Sequence, residues 1–113
     1  MTLQEIFDSV HKTGGATYRP FSRQTPRGYM VSRKGTEEKY RGFNVHHLLR
    51  YEADHRTMLT CSPDLYVGIW VDNGTTYLDL SVAIPDRHVA IAFAKAQGQL
   101  AIYDIANNET IRV

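Results

Sequence analysis

The feature that most restricts this chain is the stretch from Leu65 to Ile84, in which two β-rich runs flank Asn73-Gly74. Asn-Gly accepts positive φ at both central positions of a tight turn better than any other dipeptide, and so it predicts a β-hairpin. A two-residue loop fixes the register, with Asp72 opposite Thr75, Val71 opposite Thr76, Trp70 opposite Tyr77, Ile69 opposite Leu78 and Gly68 opposite Asp79. Because side chains alternate along a strand, the two faces then separate. One carries Val67, Ile69, Val71, Thr76, Leu78 and Leu80 and reads as a core face. The other carries Tyr66, Trp70, Asp72, Thr75, Tyr77, Asp79 and Ser81, and is aromatic and acidic. A helix either covers that second face or leaves it for a partner.

The hairpin sits within an alternation of helices and strands. Thr2 caps a helix with Leu3, Ile6, Phe7 and Val10 at helical spacing and Glu5 as capping-box partner, ended by Gly14-Gly15. Ala16 to Tyr18 and Gly28 to Ser32 read as short strands joined by a loop holding Pro20 and Pro26. Lys34 to Gly42 is polar and turn-prone. Asn44 caps a helix reaching about Leu59, with Val45, Leu48, Leu49 and Ala53 inward and Tyr51, Asp54 and His55 outward. Pro85 ends the hairpin, and Asp86 caps a helix from Arg87 to Gln97 with Val89, Phe93 and Ala96 on its stripe and Gly98 as terminator. Gln99 to Ile105 and Thr110 to Val113 form a last strand pair around Asn107-Asn108. This order predicts a single α+β domain over residues 1–113, with three helices on a mixed, mostly antiparallel sheet of five or six strands.

Length and composition agree with that size of fold: 113 residues, 42% hydrophobic and 22% charged, suit one compact core. No apolar run reaches the roughly 20 residues of a membrane span, so no membrane role is expected and the cytoplasm is the expected location. One cysteine, Cys61, excludes an internal disulfide and a multi-thiolate zinc site. The formal charge is +1, yet Lys12 to Arg56 holds ten basic and four acidic residues while residues 57–113 hold three and six. Within the basic half, Arg19, Arg23, Arg27, Arg33, Lys34 and Arg41 interleave with Tyr18, Phe21, Tyr29, Tyr40 and Phe43. Arginines beside aromatics suit phosphate contact and base stacking, or an acidic partner, if they converge; the plainer reading is a solvated surface.

Complete catalytic patterns are missing. His46, His47 and His55 share neighbouring helix positions, but a zinc site wants three or four ligands in tetrahedral array, and no metal or other cofactor is expected. Asp72, Asp79 and Asp104 offer carboxylates, and Trp70 and Tyr77 beside Asp79 would desolvate it and raise its pKa. No nucleophile, base and oxyanion donor assemble around it, so no enzymatic activity is expected. The glycines form neither a dinucleotide fingerprint nor a phosphate loop. What remains are two surfaces: Tyr66, Trp70, Tyr77 and Asp79 as anchors for a protein partner, and the basic patch as a nucleic-acid alternative. The last strand leaves an open edge through which a homodimer could form.

Several stretches resemble a known group: Gly14-Gly15-Ala16-Thr17, Pro26-Arg27-Gly28-Tyr29-Met30-Val31-Ser32, Tyr66-Val67-Gly68-Ile69-Trp70-Val71-Asp72-Asn73-Gly74, Tyr77-Leu78-Asp79-Leu80-Ser81, Pro85-Asp86-Arg87 and Gln99-Leu100-Ala101-Ile102-Tyr103-Asp104. Together they resemble small accessory proteins of actinobacterial phages and prophages, a group without an assigned activity. The resemblance implies a protein that works inside a bacterial host by binding and redirecting a host protein.

Overall fold

The computed structural model describes every residue from Met1 to Val113. Its element order is α1 (Leu3–Thr13), β1 (Gly15–Tyr18), β2 (Tyr29–Ser32), β3 (Glu38–Tyr40), α2 (Val45–Asp54), α3 (Arg56–Cys61), β4 (Leu65–Asp72), β5 (Thr75–Ile84), α4 (Arg87–Ala96), β6 (Ala101–Asp104) and β7 (Glu109–Arg112). The strands form one sheet in the order β1-β4-β5-β2-β6-β7, and β3 lies beside the first half of β5. All pairings are antiparallel. The class is α+β. The sheet has seven strands and the helices number four, one more than expected.

The β4–β5 hairpin has the expected register throughout, from Leu65 opposite Val82 to Asp72 opposite Thr75. Asn73 and Gly74 take φ of 50° and 75°, as a primed turn requires. Val67, Ile69, Leu78 and Leu80 join Ile6 of α1, Leu48 and Tyr51 of α2 and Leu59 of α3 in the larger core. A smaller core joins Val31 of β2 and Ile102 of β6 to Ala90 and Ala94 of α4. Val31 pairs with Val82, which shares the face of Leu80, so all four helices cover one side of the sheet. Within the hairpin, Val71 is the exception among the expected core residues: it stands exposed near the tip, beyond the helices.

The caps behave as the sequence suggests. Thr2 and Glu5 exchange the two bonds of a capping box, and Asp86 accepts from the Val89 amide. Asn44 accepts from the amides of His46 and His47, while His47 Nδ1 accepts from the Asn44 amide, so this histidine completes a cap.

Five further expectations need correction. Glu38–Tyr40, read as a turn, is a strand because its three residues pair with Thr76–Leu78, which local propensity does not reveal. The second helix breaks at His55 and resumes to Cys61. Tyr51 faces inward and is fully buried, because its hydroxyl donates to the Thr36 carbonyl at 2.6 Å and so carries no unpaired polar tip into the core. Leu49 and Ala53, expected inside, are exposed. In α4 the sheet-facing stripe is Ala90 and Ala94, whose small side chains let the helix approach closely; Val89 and Ala96 face outward.

Between β2 and β3, Thr36 joins the layers. Its hydroxyl accepts from the Leu80 amide and its carbonyl accepts from Tyr51, so one residue fills the gap beside β5 and ties the sheet to α2.

Candidate functional site

With every helix on one side, the other side of the sheet is open. Strand alternation places Thr17 of β1, Gly68 and Trp70 of β4, Tyr77, Asp79 and Ser81 of β5, Met30 and Ser32 of β2, and Tyr103 of β6 on it. A trough of about 900 Å³ crosses this face from Thr17 to Thr110, with Trp70, Asp79 and Tyr103 among its lining residues. That volume is typical of sites that hold small molecules or anchor side chains. A second hollow of about 440 Å³ adjoins it, and Ser32, Trp70 and Asp79 line both.

Trp70 and Tyr77, cross-strand neighbours at a non-covered position, stack with ring centroids 4.0 Å apart and planes 8° from parallel. Lys39, opposite Tyr77 on β3, holds its ammonium 5.6 Å from the Tyr77 ring centroid. Trp70 remains 42% exposed, a large apolar surface stacked on its neighbour.

Asp79 lies half-buried in the floor. The opposite residue is Gly68, where a Cβ would collide with the Asp79 Oδ1, so the missing side chain makes room for the carboxylate. Ser32 donates to Oδ2 at 2.8 Å and Ser81 to Oδ1 at 3.3 Å. Burial pushes the Asp79 carboxyl above the ordinary carboxylate range, partly offset by the two serine hydroxyls. The Lys39–Glu37 contact at 3.8 Å is the chain's one ion pair, so Asp79 has no cation beside it.

The four residues expected as partner anchors do share this face, but they divide. Trp70, Tyr77 and Asp79 border or floor the open region. Tyr66 does not: it is 2% exposed, because the loop over residues 19–28 lies across it and Gln24 Nε2 donates both to its hydroxyl at 2.8 Å and to the Pro63 carbonyl. Tyr66 is therefore a floor beneath the loop. The loop itself is pinned at Gly28, whose φ of 82° and contact with the Ile84 carbonyl leave no space for a side chain.

The basic residues do not converge. Arg19 is consumed by the fold: its guanidinium donates to the carbonyls of Leu59, Ser62 and Leu65 and so closes the end of α3. Gly28, next to Arg27, meets Ile84 and Pro85, whereas Tyr40, next to Arg41, pairs with Thr76. Eight residues along β5 separate these points, about 26 Å of extended strand. Arg33 and Lys34 lie between them on the β2–β3 connection. Of the interleaved aromatics, Tyr18 is buried with its hydroxyl donating to Glu52, and Tyr40 and Phe43 pack on the core with Phe7 and His47. Phe21 alone projects, 96% exposed with φ of 57°.

The remaining candidates have local duties. Asp104 is buried and accepts from the Asn107 amide and side chain in the β6–β7 turn. His55 Nδ1 bonds the Tyr51 carbonyl, and its ring rests on Tyr51. No three His, Cys, Asp or Glu side chains gather where they could hold a metal ion. No helix is long and apolar enough to cross a membrane. The residues that sequence reasoning missed are Ser32, Gly68 and Ser81 around Asp79; the alternation that placed Ser81 beside Asp79 was the signal available for it, whereas Ser32 comes from a distant strand.

Comparison with protein-family models, with curated proteins and with solved structures gives no match for this chain.

Proposed function

We propose that this chain is a small interaction protein that captures a protein partner on the open face of its sheet. The observation that supports the reading best is the one-sided arrangement of the helices, which leaves a trough edged by a half-exposed Trp70–Tyr77 stack. Aromatic side chains held in one rotamer lose little entropy on binding, which is why they dominate the energetics of interfaces. The resemblance to phage accessory proteins fits this reading and directs it to a host protein in the cytoplasm of an actinobacterial cell. Binding rather than catalysis is favoured because Asp79 bonds only to serine hydroxyls and no histidine or cysteine lines the trough. A nucleic-acid role finds less support, since Arg19 is engaged and the other basic residues are spread along the sheet.

The test is in-cell photocrosslinking of the full chain, with a benzophenone amino acid introduced at Thr17 or Tyr103 in the trough, or at His88 on the outer side of α4. Adducts to one protein from the two trough positions, absent from His88, insensitive to nuclease and lost with Trp70→Ala, are expected. Adducts from His88 alone overturn the proposal, and adducts that vanish with nuclease transfer it to nucleic acid.

A further inference from the structure

The floor of the trough holds a charge without a counter-charge. Asp79 sits on the central strand β5, walled by Ser32 and Ser81, with its carboxylate in the space that Gly68 leaves empty. Two carboxylate oxygens offer about four acceptor positions, and the two serines fill two of them. Arg33 and Lys34 line the adjoining hollow, but neither comes within 4.0 Å of the carboxylate. Trp70 borders both hollows beside it, and an indole face is the best aromatic surface for a cation. The same aromatic pair already receives the chain's own Lys39 on Tyr77.

We infer that Asp79 and Trp70 form a recognition site for one basic side chain, an arginine or lysine carried by an extended segment of the protein partner. This rests on the reading of the open face as the docking surface and gives that surface its chemical preference. A guanidinium would fill the two vacant acceptor positions of the carboxylate while lying against the indole. Charge complementarity is the argument: Asp79 is the one acid among the residues that line the trough, and no cationic group of the chain lies within 4.0 Å of it. The serines orient the carboxylate in advance, so little ordering remains for the incoming group to complete.

The probe is a blocked tripeptide, acetyl-Gly-Arg-Gly-amide, titrated into isotopically labelled full chain and followed by backbone amide shifts. Saturable shifts centred on Thr17, Gly68 and Ser81 are expected. The isosteric citrulline peptide, neutral at the same shape, should bind at least about tenfold more weakly, because charge-assisted bonds are roughly twice as strong as neutral ones. Asp79→Asn should lose the arginine preference while keeping a dispersed spectrum. The citrulline comparison uses the unaltered chain, so its answer does not depend on how that variant folds. Equal binding of the two peptides, or shifts confined to the 19–28 loop, overturns the inference. If the trough crosslinks to a partner while the arginine peptide shows no preference, the docking reading stands and the assignment of Asp79 fails; absence of crosslinks from the trough removes the docking reading itself.

Discussion

The two faces of the sheet are made by the same strands yet serve opposite ends. On the helical face, Leu78 and Leu80 are fully buried among Ile6, Leu48, Tyr51 and Leu59. On the open face, their immediate neighbours have polar or aromatic company instead: Tyr77 meets Trp70 and Lys39, and Asp79 meets Ser32 and Ser81. One face gathers apolar area and carries the stability. The other keeps an aromatic stack in water and a carboxylate in a floor, both of which a chain selected for stability alone would not hold. The alternation of β5 is thus also an alternation between residues that build the core and residues left facing the trough.

The comparison breaks most directly at Leu80. Leu80→Ala should cost about 2–5 kcal/mol, the range for a fully buried leucine, and shift the denaturant midpoint sharply; a loss under about 1 kcal/mol would mean that the helical face is not the stabilising one. Arg19→Ala should cost about 1–3 kcal/mol by removing the donor shared by the Leu59, Ser62 and Leu65 carbonyls, of which Ser62 keeps the Leu65 amide, and it should fray α3 in hydrogen exchange; unchanged protection from Leu59 to Leu65 would count against that role. On the open face, Trp70→Ala should cost only about 0.5–1.5 kcal/mol for the lost stack and leave the circular-dichroism spectrum intact, while abolishing partner capture.

The smallest effect should have the opposite sign. Burial raises the Asp79 pKa in the fold, so between the ordinary carboxylate value and the raised one the folded chain holds more protons than the unfolded chain. This group therefore favours folding most below the ordinary value and costs stability once the pH passes the raised one. Asp79→Asn, which removes that cost, should raise Tm at pH 7 and lose the gain as the pH falls below the ordinary carboxylate range. A variant that is less stable at pH 7 would show that the serine bonds outweigh the burial.

How far the sequence discloses these two faces follows from the range of the interactions. The hairpin register and the sharing of one face by Trp70, Tyr77 and Asp79 were legible, because an Asn-Gly turn and a period of two settle them locally. What covers Tyr66 was not, since Gln24 lies 42 residues away, nor was the Ser32 bond to Asp79 across 47 residues. Arg19 reads in sequence as one of six basic residues, and only the arrival of α3 turns it into a helix-end donor. Tyr51 was misread for a related reason: its polar tip argues for solvent until Thr36 is brought beside it.

Trp70 is the only tryptophan in the chain, and it stands where the open trough begins. Its emission is therefore a native optical gauge of that face alone, free of signal from the core. Stacked on Tyr77 and partly wetted, the indole should shift to the blue when an occupant displaces its water, so the protein carries its own label for finding what it holds.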